Sequence, residues 1–271
     1  MSLRSFIDET GVPDRTIAVV SDDTTGPLER MLEETFAEQP VGVESGATIP
    51  TDPAVGPQIE DALDAAGDTA VLFEDGRPVA ASPMLELYDS ILAINSDLFV
   101  TGARDIGEID LPVVLANLDE TRLRLRGYPL SDKEKLLLIV VSRYIEQRAW
   151  AADGGTLRSA FQRLSRIDDE IGTREVYATL AATDVETHVY GIDDGATVDI
   201  DVTVHTGTGS EYRDAWFVVY EPDERPADAA DPTSGPVALV CLETEPRTWD
   251  GFWTYDPERV AAIGEYVARE L

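Results

Sequence analysis

The longest run of apolar positions at helical spacing lies between Ser131 and Ala151, SDKEKLLLIVVSRYIEQRAWA. Leu137, Leu138, Val141, Tyr144, Ile145 and Arg148 recur at the i, i+3, i+4, i+7 spacing of one helical face. Leu136, Ile139 and Val140 make the first half apolar nearly all round, which predicts a helix packed on more than one side. Ser131 and Glu134 have the spacing of a capping box, Pro129 disfavours helix just upstream, and Gly154-Gly155 marks the stop. In the second half Arg143, Glu146, Gln147 and Trp150 share another face. Spacing alone leaves that face two readings, a salt-bridged solvated surface or the wall of a ligand site.

Upstream, residues 2–9 predict a short amphipathic helix on Leu3, Phe6 and Ile7. Thr16–Val20 is a β-branched strand, Leu28–Ala37 a helix with Leu28, Met31, Leu32 and Phe36 on one face, and Val41–Val43 a second strand. Proline-rich Thr48–Pro57 is a loop and Ile59–Ala66 a weak helix. Thr69–Glu74 is a third strand, turned through Asp75-Gly76 into Arg77–Ala80. This alternation predicts a small parallel sheet with covering helices. Pro83–Ile94 and Leu111–Leu118 are helices on either side of irregular residues 95–110. Arg122, Arg124 and Arg126 alternate with Leu123 and Leu125 as a half-buried strand.

After the long helix come Leu157–Ile171, a helix over Thr173–Ala182, and strand-like runs at Glu186–Tyr190, Val198–Val204, Ala215–Tyr220 and Val237–Leu242. Pro222–Pro236, rich in Asp and Pro, reads as a mobile loop, and Asp256-Pro257 opens a last helix with Val260, Ile263 and Val267 inward. The fold class is therefore α/β: a mixed sheet with flanking helices, strand-helix-strand at the N-terminus and strand-rich in the C-terminal half.

Composition narrows the setting. The chain has 271 residues, 43% of them hydrophobic, enough for a substantial core and too apolar for disorder. Against 53 Asp and Glu stand 21 Lys and Arg, a net charge of −32, and only Lys133 and Lys135 are lysines. The acids are scattered, so they form no acidic tail. They fit adaptation to molar salt, where the screening length drops to about 3 Å. The expectation is a cytoplasmic protein of a halophile whose isolated acids mostly solvate the surface. No basic stripe exists to displace counterions from phosphates, which argues against direct nucleic-acid binding. No signal peptide and no apolar run near 18 residues argue against a membrane. The single Cys241 excludes a disulfide within the chain and a cysteine-based zinc site.

Candidate chemistry is sparse. Ser21-Asp22-Asp23 ends the first strand, where α/β folds place ligands, but halophile surface acids or a helix cap explain it better than a phospho-receiver site. His188 and His205 read as a two-histidine metal site or, more simply, as partly buried strand residues. No G-x-S-x-G is present, Cys241 in VALVCL reads as a core thiol, and Gly207/Gly209 lack a phosphate-binding pattern. Neither a metal nor a cofactor is implied. Trp150, Trp216, Trp249, Phe252, Trp253 and Tyr255 concentrate in the second half, as core or as walls of a small-molecule pocket.

The ordered motifs SRYIEQRAW (142–150), AFQRL (160–164), VYATLAA (176–182), ETHVYG (186–191), AWFVVYE (215–221), ALVCLETE (238–245) and GFWTYDPE (251–258) resemble the DICT sensory domain family. That family is named for its occurrence with diguanylate cyclases and two-component systems, and the likeness is greatest to stand-alone haloarchaeal members. It is close over roughly 130–258 and only general in layout over 1–120. The resemblance implies one sensory module over 1–271, with a DICT-like core at about 76–258 and an N-terminal part at 1–75. It further implies a non-catalytic signal-input role. It implies too the binding of an unidentified small molecule and a separate protein partner: a histidine kinase, a cyclic-dinucleotide enzyme or a transcription regulator. The motifs and the helix face put forward Ser142, Arg143, Glu146, Trp150, Gln162, Tyr177, Trp216, Glu243 and Trp253 as candidate ligand-binding residues. The rival expectations are a hydrolase using Glu146 with His188, and a ligand-free adaptor.

Overall fold

The structure, a computed structural model, describes residues 1–20, 26–37, 39–45, 56–64, 67–95, 106, 111–126, 132–169, 171–223, 235–246 and 248–271. Ser21-Asp22-Asp23, Ser131 of the capping box, and most of the loops expected at 48–57, 95–110 and 222–236 lie outside the described residues. The first part comprises α1 (Leu3–Asp8), β1 (Arg15–Val20), α2 (Pro27–Phe36), β2 (Val41–Ser45), α3 (Pro57–Asp64), β3 (Thr69–Glu74), β4 (Arg77–Pro83), α4 (Met84–Asn95) and α5 (Val113–Ala116). Then follow β5 (Leu123–Arg126), α6 (Asp132–Ala152), β6 (Thr156–Arg163), α7 (Arg166–Asp169), α8 (Ile171–Leu180), β7 (Glu186–Ile192) and β8 (Thr203–Thr206). The chain closes with α9 (Ser210–Asp214), β9 (Ala215–Glu221), β10 (Val237–Glu245), β11 (Thr248–Thr254) and α10 (Pro257–Glu270).

These strands form two mixed sheets flanked by helices, ordered β2-β1-β3-β4 and β5-β11-β10-β9-β6-β7-β8. The parallel N-terminal sheet expected from the alternation is corrected: β1 and β2 are parallel, but β3 runs antiparallel to both β1 and β4. The reason lies in α3, which packs Ile59 on Val71 and Ala81 of the β3–β4 hairpin instead of carrying the chain across to a parallel neighbour. Asp75 and Gly76, at φ +50° and +73°, supply the two positive-φ positions of a tight hairpin. A boundary at 75/76 therefore cuts this hairpin. The smaller sheet ends at Pro83, while α1, from the first residues, packs Leu3, Phe6 and Ile7 on the larger sheet.

The apolar girth of α6 has its cause in two partners. Leu138, Val141, Ile145 and Ala149 join Leu157, Val218, Leu239 and Cys241 of the larger sheet in one core cluster, which continues to Ile17 and Leu72 of the smaller sheet and Leu32 of α2. On the opposite face of the larger sheet, Phe217, Val219, Val240 and Phe252 are covered by Leu3 and Phe6 of α1 and by Val260, Ile263 and Val267 of α10. The two faces follow the period-two alternation of β9 and β10. At the end of α6, Gly155 has φ +88°, and a Cβ there would lie 2.4 Å from the Glu221 carbonyl oxygen. Only glycine turns the helix directly into β6.

Three differences from the hydrophobic pattern have physical causes. The strand expected at Val198–Val204 is hydrogen-bonded only over Thr203–Thr206; Val198, Ile200 and Val202 rest on the core at alternate positions without a ladder. Residues 157–163, to which the pattern assigned no element, form the internal strand β6. β11, TWDGFWT, is a strand whose glycine is required: a Cβ on Gly251 would meet Cys241 Sγ at 2.2 Å. No helix among the described residues is long and apolar enough to cross a membrane.

Candidate functional site

On α6, Ile139, Ser142, Arg143 and Glu146 occupy one face at i, i+3, i+4 and i+7. Helix α8 packs beside it and brings Thr173 and Tyr177, one turn apart, to the same space. Ser159, Ala160, Phe161 and Gln162 of β6, Trp216 and Val218 of β9, and Arg166 of α7 complete the wall of a cavity of about 310 Å³. That volume is at the lower end of small-molecule pockets, which run from roughly 300 to 1,000 Å³.

The polar wall is a buried network. Arg143 is 7% and Glu146 2% exposed, so this helix face is not a solvated surface. Arg143 Nη1 donates to Glu146 Oε2 at 2.6 Å and Nη2 to Thr173 Oγ1 at 2.5 Å, while the Tyr177 hydroxyl donates to Glu146 Oε1 at 2.9 Å. Burial, and then the Glu146 charge, push the Tyr177 phenol well above its ordinary pKa, so it stays a proton donor. Burying an ion pair is costly unless its remaining bonds are made, and here both carboxylate oxygens are engaged.

Gln162 is the strained member. It stands at φ +61°, in the irregular stretch where the β6–β7 register shifts between Ala160 and Arg163, and it is 3% exposed. A non-glycine residue in the left-handed region costs about 1–2 kcal/mol, and such strain collects at functional sites. The bulge turns its amide toward two charges: Nε2 donates to Glu243 Oε2 at 3.1 Å, and Oε1 accepts from Arg166 Nη1. Arginine only donates and a carboxylate only accepts, so these partners fix the amide orientation. Next to it Phe161 meets Tyr177 edge-on with ring centroids 5.1 Å apart. Trp216 Nε1 donates to Ser142 Oγ at 3.1 Å, and its ring stands edge-on to Trp249.

Of the nine residues expected from the sequence, Ser142, Arg143, Glu146, Gln162, Tyr177 and Trp216 converge on this cavity, and Glu243 is one hydrogen bond behind its wall. Trp150 and Trp253 lie outside the wall. One further turn of α6, about 6 Å along the axis, carries Trp150 past Glu146 to rest on the core. Trp253 is on β11, which β10 separates from β9. Sequence reasoning missed Ile139, Ser159, Ala160, Phe161, Arg166, Thr173 and Val218. The i, i+4 spacing of Thr173 and Tyr177 on a predicted helix was the available signal; the bulge that places Gln162 and Arg166 left none.

His188 and His205 meet across β7 and β8, with Nδ1 of the first 3.0 Å from Nε2 of the second, and the His205 ring stacks on Tyr190 at 4.4 Å. Glu186 Oε1 lies 3.2 Å from His188 Nε2. Burial, His188 and Arg158 hold the His205 pKa below its ordinary value. Among the described residues, no group of three or more His, Cys, Asp or Glu side chains is placed to hold a metal ion. The expected pairing of Glu146 with His188 is corrected as well. His188 is in register with Arg158, which bonds Glu221 beside Gly264 of α10, whereas Ser159 faces the cavity. The sheet stands between the two side chains, so they do not share a substrate.

Comparison with protein-family models, with curated proteins and with solved structures finds no match to this chain.

Proposed function

We propose that this protein is a non-catalytic signal-input module that takes a small molecule into the α6–α8–β6–β9 cavity and passes the signal to a separate partner protein. The observation that carries the reading is the Arg143–Glu146 pair, buried at the wall of an open space and tied to Thr173 and Tyr177. A purely structural wall is more stable when apolar, so a satisfied ion pair facing a cavity fits selection for recognition. The strained Gln162 beside it points the same way.

The route outward runs through α6, whose polar face lines the cavity and whose apolar face enters the core shared by both sheets. A ligand that reorganises the Arg143 network biases the packing of that helix, and the partner reads the bias. The DICT resemblance supports this reading and suggests the partner's class: a histidine kinase, a cyclic-dinucleotide enzyme or a transcription regulator. With a net charge of −32, the chain acts on DNA only through such a partner.

Native mass spectrometry of protein purified from its own cells in molar KCl tests the reading. A non-covalent adduct is expected on the wild type. It should be absent from Ser159→Trp, which fills the cavity, provided circular dichroism shows that variant folded. A wild type without adduct, together with unchanged signalling by the folded variant, sinks the cavity reading in favour of a ligand-free adaptor.

A further inference from the structure

Resting on that reading, we propose that the cavity's ligand is a small organic acid with a planar, unsaturated body, its carboxylate held by Arg166 and its second polar group by Ser159. The charges of the wall carry this. Arg143 is matched by Glu146, which leaves Arg166 at the exposed rim. Its partner among the described residues is the neutral carbonyl of Gln162, whose amide is turned to Glu243. Thus, in a chain of net charge −32, the cavity mouth presents a guanidinium that has no carboxylate of the protein within ion-pair distance among the described residues. Its planar fork suits a carboxylate bidentately, and at this partly enclosed mouth salt screens the contact less than on open surface.

Deeper in, Ser159 is 1% exposed, and its Oγ has the Tyr177 phenol as its polar neighbour. The phenol gives its own proton to Glu146, so Ser159 can at most donate toward it, and its Oγ keeps lone pairs facing the cavity for a donor on a ligand. The rest of the lining is flat or branched apolar surface: Phe161, Trp216, Ile139 and Val218. At about 310 Å³ the space is at the lower end of small-molecule pockets, so the occupant is a compact acid of one ring or two fused rings rather than a nucleotide. A phosphate ester would call for several convergent donors, whereas this mouth offers one arginine.

Calorimetric titration in molar KCl with benzoate, 4-hydroxybenzoate and indole-3-carboxylate, each beside its uncharged amide, decides the matter. Acetate and inorganic phosphate serve as charge without body. At least one ring acid is expected to bind about tenfold more tightly than its amide, a difference of about 1.4 kcal/mol. Arg166→Gln should abolish that preference in protein that circular dichroism shows to be folded, and Arg166→Lys, which keeps the charge and a donor for Gln162, should retain part of it. Ser159→Ala should erase any advantage of 4-hydroxybenzoate over benzoate. Amides that bind as well as acids, a preference that survives Arg166→Gln, or phosphate that outcompetes every ring acid would each overturn the proposal while leaving the cavity reading in place. If no acid binds, the proposal falls, and the native mass spectrum then shows whether the cavity reading falls with it.

Discussion

Arg143 and Glu146 show how burial changes the meaning of a residue pair. An exposed i, i+3 ion pair contributes a few tenths of a kcal/mol. Inside the protein, removing one member strands the other charge, and the expected cost of Arg143→Ala or Glu146→Ala alone is about 3–5 kcal/mol. The double replacement Arg143→Met with Glu146→Leu removes both charges and should stay within about 1 kcal/mol of wild type, or gain stability. Urea unfolding in molar KCl, run on all three variants, checks this; single variants as stable as the parent would mean the pair is solvated in solution. The double variant should also lose the adduct seen by native mass spectrometry. Both residues were legible in the sequence, in the SRYIEQ segment at helical spacing. What spacing could not decide was whether that face met water or α8, because the answer depends on Tyr177 and Thr173, about thirty positions away along the chain. Gln162 was legible as part of a motif but not as a strained residue, since its positive φ arises from the bulge in β6 and not from its own chemistry.

Among the elements, those with an uninterrupted period were the readable ones. α6 and α10 bury the residues their 3.6-residue pattern picks out, and the Asp256 side chain caps α10 as its position before Pro257 implies. β6 and β11 were not readable, for a shared reason. β11 is buried on both faces around a close-packed glycine, and the alternation of β6 breaks at its bulge, so neither keeps a clean period. β8 is the reverse case, a four-residue edge strand held to β7 by its ladder and by the His188–His205 bond. This contact ties the strand to pH. The folded-state pKa of His205 is depressed, so the unfolded chain takes up its proton first as pH falls through the ordinary histidine range. The stability that neutral His205 provides is present above that range and is lost on acidification. Asp119 acts with the opposite sign: burial raises its pKa to about 6, so acidification toward that value favours the fold. The comparison must therefore be made against His205→Gln. Wild type should lose more stability than the variant between pH 7 and about pH 5, with parallel curves above pH 7. Identical slopes in denaturant titrations across that window would show that the histidine bond does not secure β8.

At the scale of the whole molecule, attraction and repulsion between charges respond to salt in opposite directions, and the count decides which dominates. Where α1, β5 and β11 meet, Arg122 pairs with Asp8 and Asp250, Arg4 reaches Asp250, and Arg124 reaches Glu245. Lowering the salt strengthens such contacts, because the screening length grows from about 3 Å near 1 M to about 10 Å near 0.1 M. Exposed pairs of this kind contribute no more than about 1 kcal/mol each. Against them, even if each of the 21 basic residues neutralised one acid, 53 − 21 = 32 carboxylates would remain without a partner. At about 10 Å of screening these begin to feel one another across the surface, and the compact state concentrates them more than the unfolded chain does. Repulsion therefore outweighs the pairs. Tm should fall steadily as KCl is lowered from molar to tenths of molar. Sucrose restores stability by exclusion from the surface without screening, so it should recover only part of the loss. Full recovery in sucrose would assign the salt effect to exclusion instead of charge. A Tm that holds or rises on dilution would overturn the reading of the acidic surface as an adaptation to salt, and would make that surface a candidate for binding a basic partner.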